Sequence, residues 1–365
     1  MKLVICGDMS VAEGSVKHFE EMDEKAAFGD VIDIFKSADR TIVNLECALT
    51  EKEEGIKKFG PCLKGPVNTA KTLKKAGVTD CALSNNHIFD FGVKGLKDTL
   101  KALDEAGLSY TGIGRNYEDS RKNHIIDVDG ITVCVINVCE HEYSYATEER
   151  VGARPFDEFE TMEDIRKAKK SADYVVVIYH GGKEFCRYPS PRLKKACREM
   201  ALSGADVVLC QHSHIIGCYE KVGDSHVLYG QGNFHFAWNA WKEFWYEGLV
   251  VELDIKKAGI DINFIPVSVA DGGVFVTEKE KANLVLKDFW ARSEELKNGE
   301  WKKHWHEFCL ENKGYYKKAV CGYTEEDDAD KMQQFSHYLD CEAHTDVWRE
   351  LFPTWNLTNE TDEEF

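Results

Sequence analysis

Residues able to bind a metal stand directly after five apolar stretches of the kind that form buried strands. Asp8 follows Leu3-Val4-Ile5-Cys6-Gly7, Glu46 follows Thr41–Leu45, and Asn85-Asn86-His87 follow Ala82-Leu83-Ser84. His180 closes Val177-Ile178-Tyr179, and His212 and His214 follow Val208-Leu209-Cys210-Gln211. Ligands of open α/β sheets gather at the carboxyl ends of strands, because the loops leaving those ends converge there. Five such ends carrying carboxylates, an amide and imidazoles make a constellation. His212 and His214 are two residues apart, so on an extended segment both rings leave the same face. His304 and His306 have the same spacing, but they lie in a helical stretch where such positions diverge by roughly 200°. We read that second pair as structural.

The elements that must position these residues are apolar β-like runs alternating with helical patterns. The runs are Leu3–Cys6, Thr41–Leu45, Asp80–Leu83, Ile131–Val138, Tyr174–Tyr179 and Asp206–Cys210. Val67–Ala76, Leu96–Ala106 and Pro191–Leu202 read as helices, the second carrying a Leu96-Leu100-Leu103 stripe and stopping at Gly107. Near-continuous apolar strands between helices predict an α/β layered core. Val227–Tyr229, Leu249–Ile255 and Ile260–Val267 then follow strand upon strand, with Lys257-Ala258-Gly259 as a hairpin turn.

With 365 residues the chain can bury a substantial core, and its net charge of −18 argues against a nucleic-acid partner. No apolar run approaches the ~20 residues that span a bilayer, and the stretch after Met1 is too short for a signal peptide. Thirteen cysteines without a Cys-x-x-Cys pair predict buried free thiols in a reducing, cytoplasmic setting.

Gly7-Asp8, Asn44-Leu45-Glu46, Ser84-Asn85-Asn86-His87 through Gly92, His180-Gly181-Gly182-Lys183-Glu184-Phe185, Gly204–Val208 with His212-Ser213-His214, and Tyr229-Gly230-Gln231-Gly232-Asn233-Phe234 together resemble the CapA (poly-γ-glutamate capsule synthesis) family. That family belongs to the calcineurin-like metallophosphoesterases, and the resemblance runs from Met1 to Val269. It implies a four-layer α/β/β/α sandwich with a metal site at the strand ends. By the superfamily's pattern, Asp8, Glu46 and His214 would hold one ion, and Glu46, Asn86, His180 and His212 a second. Mixed O and N donors without thiolate suit Mn²⁺, Fe or Zn²⁺, and a shared carboxylate suits attack on a phosphorus or carbonyl centre. His87 would be the acid, with Asp90 three residues on to fix its tautomer and raise its pKa. Ser10 stands where metallophosphoesterases usually carry His, and Glu46 where they carry Asp. Both departures are usual for CapA proteins, and both thin the first metal site. Gly181-Gly182 replaces an aromatic common in the family, which implies a wider pocket.

Glu184, Arg154 and Lys64 lie in loops that could border an anionic substrate, and Asn233 reads as a turn residue or a site partner. The aromatic run Phe236–Tyr246 could wall a groove or plug the body. These readings point to a metal-dependent hydrolase acting on an anionic small molecule or polymer in capsule or exopolymer synthesis. The alternative is a non-catalytic polymer-binding scaffold with a vestigial metal site.

The character changes after Val276. We expect a sandwich domain over 1–276 and a helical extension over 277–365, with helices at Glu278–Leu296 and Trp301–Asn312. Trp290, Trp301, Trp305 and Trp348 must be buried, against the sandwich or against a second copy in a homo-oligomer. Thirteen acids against two bases from Thr324 to Phe365 would repel a second copy, which favours docking within the chain.

Overall fold

The computed structural model describes residues 1–140, 143–238, 242–320 and 329–353. The chain first lays down four parallel strands, β1 (Lys2–Ser10), β2 (Arg40–Leu45), β3 (Asp80–Ala82) and β4 (Ser109–Thr111). It then builds a six-stranded sheet from β5 (His124–Val128), β6 (Ile131–Cys139), β7 (Tyr174–His180), β8 (Val207–Gln211), β9 (Tyr219–Val222) and β10 (Ser225–Leu228). Finally it returns to the first sheet with β11 (Asn233–Phe236), β12 (Glu247–Lys256), β13 (Gly259–Ala270) and β14 (Gly273–Val276), making eight strands in all. The strand orders are β14-β13-β12-β1-β2-β3-β4, with β11 also beside β1, and β9-β10-β8-β7-β6-β5.

Alternation along the strands sorts the apolar residues into three layers of core. Leu3, Ile5, Val133, Val135, Val176 and Ile178 meet between the two sheets. Val4, Cys6 and Val43 face the opposite way, toward α1 (Val16–Glu20), α2 (Glu24–Phe28), α3 (Val31–Ser37), α4 (Thr69–Ala76) and α5 (Gly92–Ala106). The single turn α6 (Tyr117–Ser120) lies in the connection between the sheets. Cys134, Ile136, Val175 and Val177 face α7 (Glu158–Ala168) and α8 (Pro191–Leu202). Strands buried on both faces read as continuous apolar runs for this reason. The expected four-layer α/β/β/α sandwich is the architecture found.

Local signals set the helix ends. Ser190 accepts a bond from the Leu193 amide and Pro191 opens α8, while Gly107 closes α5 in a left-handed conformation. Beyond Val276 come α9 (Lys279–Asn298), α10 (Trp301–Val320), α11 (Ala329–Asp340) and α12 (Glu342–Leu351). They dock within the chain. Phe289 joins the core between the sheets, and Leu296, Trp301, Trp305, Tyr316, Tyr338 and Val347 join the layer around α8. Of the four tryptophans expected to be buried, Trp301 and Trp305 are, Trp348 is half-buried and Trp290 is 45% exposed. Residues 321–328 and 354–365, which hold eight of the thirteen acids of the acidic ending, lie outside the described residues.

Twelve free cysteines are described and eleven are buried, in line with the sequence. None of the described helices is long and apolar enough to cross a membrane.

Candidate metal centre

Asp8 reaches the site through an irregularity in its strand. Ile5 pairs with Ile42 but Asp8 pairs with Asn44, so β1 spends one more residue than β2 over this stretch. That bulge turns Asp8 toward the side that Leu3 and Ile5 occupy. Gly7 permits it, because a Cβ there would lie 2.3 Å from the Gly232 carbonyl oxygen.

Asp8 accepts bonds from Asn44 Nδ2 at 2.7 Å and from the His212 amide at 2.8 Å. Its carboxylate lies 3.6 Å from His180 Nδ1 and 3.5 Å from His214 Nδ1. Asn44 in turn meets His180 Nδ1 at 3.0 Å and accepts from Asn85. Asn86 Oδ1 lies 2.8 Å from His180 Nε2, and Glu46 Oε1 lies 3.4 Å from the same atom. Candidate ligand atoms of Glu46, His212 and His214 all fall within 4.8 Å of one another.

The two histidines converge by a different route from the extended segment expected. β8 ends at Gln211, and His212 and His214 take φ of 83° and 54°. Left-handed backbone is uncommon for residues other than glycine and gathers where function holds it in place. Their ring centroids lie 5.7 Å apart, and those of His180 and His212 4.9 Å. His304 and His306 diverge as expected, one stacked on Tyr188 and the other bonded to Glu350.

Asp8, Glu46, His180, His212 and His214 are all buried, and among the described residues neither oxygen of Glu46 has a hydrogen-bond partner beyond the ion-pair contact with His180. A buried carboxylate without hydrogen bonds is costly unless a cation compensates it. This donor set therefore fits one or more divalent ions. The electrostatics agree. Burial disfavours a charged His180, yet Glu46 and Asp8 overcome it and push its pKa up to about 9. His214 is raised in the same way, against burial, by Glu46 and Asp8. Burial alone would raise Asp8, but His180 and His214 hold it below its ordinary value.

His87 and Asp90 form a neighbouring pair, Nδ1 to Oδ2 at 2.6 Å. Lys58 completes it, its Nζ 2.5 Å from Asp90 Oδ1 and 3.2 Å from His87 Nδ1. The expected rise in the His87 pKa is reversed. Burial, then Lys58, outweigh Asp90, so the ring is held below its ordinary value. Asp90 is lowered too, His87 and Lys58 prevailing over burial.

The rim differs from expectation. Glu184 does stand at the mouth, its Oε1 3.8 Å from His212 Nε2 and its side chain 37% exposed. Arg154 is 2% exposed and bonded to Asp164 at 2.7 Å, so its guanidinium serves a buried ion pair. Lys64 bonds the Lys52 carbonyl and covers the Phe91 ring. Asn233 is buried beneath the site, where its Oδ1 meets His214 Nδ1 at 2.9 Å. The pocket expected beside Gly181 is filled by Glu140, whose Oε2 would lie 2.4 Å from an added Cβ. Phe236 and Trp245 pack on the His214 ring, while 239–241 of the aromatic run lie outside the described residues.

A family described as bacterial capsule synthesis protein PGA_cap matches residues 2–237. The chain is 32% identical over 219 residues to the capsule biosynthesis protein CapA of Bacillus anthracis, covering 58% of this chain and 52% of that one. It is 28% identical over 260 residues to the PGA biosynthesis protein CapA of Bacillus subtilis, covering 69% and 67%. The chain thus spans about half the length of the first relative. A solved putative 5'-nucleotidase from Staphylococcus aureus, in complex with alpha-ketoglutarate, superposes with a TM-score of 0.44 at 16% identity, covering 80% of this chain and 58% of that one. All the strand-end residues fall inside the matched segment, and α9–α12 fall outside it.

Proposed function

Because the chain belongs to the bacterial capsule synthesis protein PGA_cap family, we propose that it serves capsule or poly-γ-glutamate biosynthesis as a metal-dependent hydrolase of an anionic substrate. The observation that carries this reading is the buried Glu46 carboxylate, which beyond its contact with His180 has no hydrogen bond among the described residues and is ringed by imidazoles. Asp8, Glu46 and His214 would hold one cation, and Glu46, Asn86, His180 and His212 a second. A divalent ion there supplies Lewis acidity toward an anionic oxygen.

The chain's own residues would handle the proton. Burial and Lys58 favour a neutral His87 ring, and Asp90 Oδ2 accepts the proton-bearing Nδ1. That tautomer leaves Nε2 able to take a proton and return it to a leaving group. Asp90 and Lys58 are then positioning residues. Asn233 orients His214 by accepting from its Nδ1, as supporting partners of metal-binding histidines do.

The test is metal analysis of the purified chain, joined to a screen of phosphoester and γ-glutamyl substrates with added Mn²⁺. His180→Ala and His212→Ala should each lose bound metal. His87→Ala should keep it and lose turnover by about 10²–10⁴-fold. Unchanged metal stoichiometry in both histidine variants would remove the central claim. Full metal occupancy with no turnover on any substrate would favour the polymer-binding scaffold instead.

A further inference from the structure

A second set of metal-type donors lies in the helices outside the family match. His337 in the last turn of α11, Cys341 between the helices and His344 in the first turn of α12 place their ligand atoms within 4.8 Å of one another. The two imidazoles face each other through their Nε2 atoms, 3.2 Å apart. Two nitrogens each 2.0–2.1 Å from one tetrahedral zinc would stand roughly 3.3 Å apart. The spacing is thus that of two ligands on one ion.

The surroundings hold the rings in that arrangement. Tyr316 OH lies 2.7 Å from His344 Nδ1, which assigns Nε2 to the cluster. His344 stacks on Tyr338 with centroids 4.2 Å apart, and His337 stacks on Tyr143 at 5.8 Å. Cys341 is 2% exposed and is the cap residue of α12, so the positive end of that helix dipole favours a thiolate ligand. His337 is half-buried, as access for an ion requires.

We propose that His337, Cys341 and His344 form a thiolate-containing site for a zinc-class divalent ion at the α11–α12 corner, separate from the strand-end centre. Two imidazoles and a thiolate select a softer ion than the carboxylate-rich site does. Without an ion, one ring donates its Nε2–H to the Nε2 of the other, and a bound ion takes the place of that hydrogen bond.

Cobalt substitution of the full chain distinguishes the two sites, since only the corner offers sulfur. The expected result is a thiolate-to-cobalt charge-transfer band in the near ultraviolet. Cys341→Ser should abolish the band and remove one equivalent of bound zinc, while His212→Ala leaves the band intact. Serine is itself a favoured helix cap, so Cys341→Ser keeps the helix end supported. His344→Gln, a second variant, should lose the same equivalent. Absence of the band in the full chain overturns the proposal, as does its persistence in Cys341→Ser.

Discussion

In the strand-end cluster, Asp8 and the His212 amide that bonds to it are 204 residues apart in the chain, whereas His337, Cys341 and His344 fall within one eight-residue stretch. The first arrangement exists only when two sheets are registered against each other, with a bulge in β1 and left-handed turns after β8. The second needs only the junction of two helices and the aromatic rings around it. Similar side chains are therefore exposed to different failures. Changes in backbone geometry should damage the distributed site, and changes in helix docking the local one.

Truncation after Val276 tests that division most severely. Phe289, Leu296, Trp301 and Trp305 are buried against the sandwich or α8, and each fully buried large side chain contributes about 1.5–3 kcal/mol. Together they rival a domain's total stability of roughly 5–15 kcal/mol. The 1–276 fragment should aggregate on size-exclusion chromatography and show no cooperative thermal transition. A folded, monomeric fragment that still binds metal would instead make 277–365 a separate unit.

Gly7→Ala should act on the distributed site alone. An added methyl against the Gly232 carbonyl should cost roughly 1–3 kcal/mol, measured by denaturant unfolding. It should also weaken metal binding at the strand ends while leaving the cobalt–thiolate band unchanged. Equal loss at both sites would dissolve the contrast.

A pH series should then sharpen it. The His180 pKa is raised to about 9, so below that pH an incoming ion must displace its proton. Metal affinity at the strand ends, followed by calorimetry, should climb with pH toward about 9. The metal-free chain should show the opposite trend. Protonated His180 contributes its stability in full below an ordinary histidine pKa of about 6.5, and that contribution is lost as pH rises through about 9.

The smallest effect belongs to His304→Ala. Its ring stacks on Tyr188 at a partly exposed position, so stability should move by less than about 1 kcal/mol and metal content should not change. A lost equivalent of metal would undo the distinction between converging and diverging His-x-His pairs.

Much of the sandwich is legible in the sequence because its strands are buried on both faces. Pro191–Leu202 starts at its own cap signal, and most apolar runs mark their strand ends to within a residue or two, although β1 runs four residues beyond Cys6 and β13 three beyond Val267. The contents of the site are less legible. Asn44 is visible as a motif residue and as a polar residue inside an apolar strand, but not as the group that bonds both Asp8 and His180. Lys58 carries no signal at all, since a loop lysine becomes a buried partner of Asp90 only when the 56–63 segment folds over it. Arg154 fails in the opposite sense, a loop base drawn into a buried pair by Asp164. The bulge at Gly7 and the left-handed histidines are properties of register, which periodicity does not encode. The corner cluster was open to detection as His-x-x-x-Cys-x-x-His, a spacing that a search for paired cysteines passes over.

Glu140 has a consequence of another kind. It accepts from the Gly182 amide beside the His180 strand end and pairs with Arg192, which also grips Asp346 on α12. All three charged side chains are shielded, so separating α12 from the body would break the Arg192–Asp346 pair and leave Arg192 with Glu140 and Asp346 with Arg349. The tail helix and the glycine loop are thereby linked through Arg192 and Glu140, and we expect them to open together. Their amides should become accessible to solvent together, and anything that grips the helix from outside would slow the excursions of the loop as well.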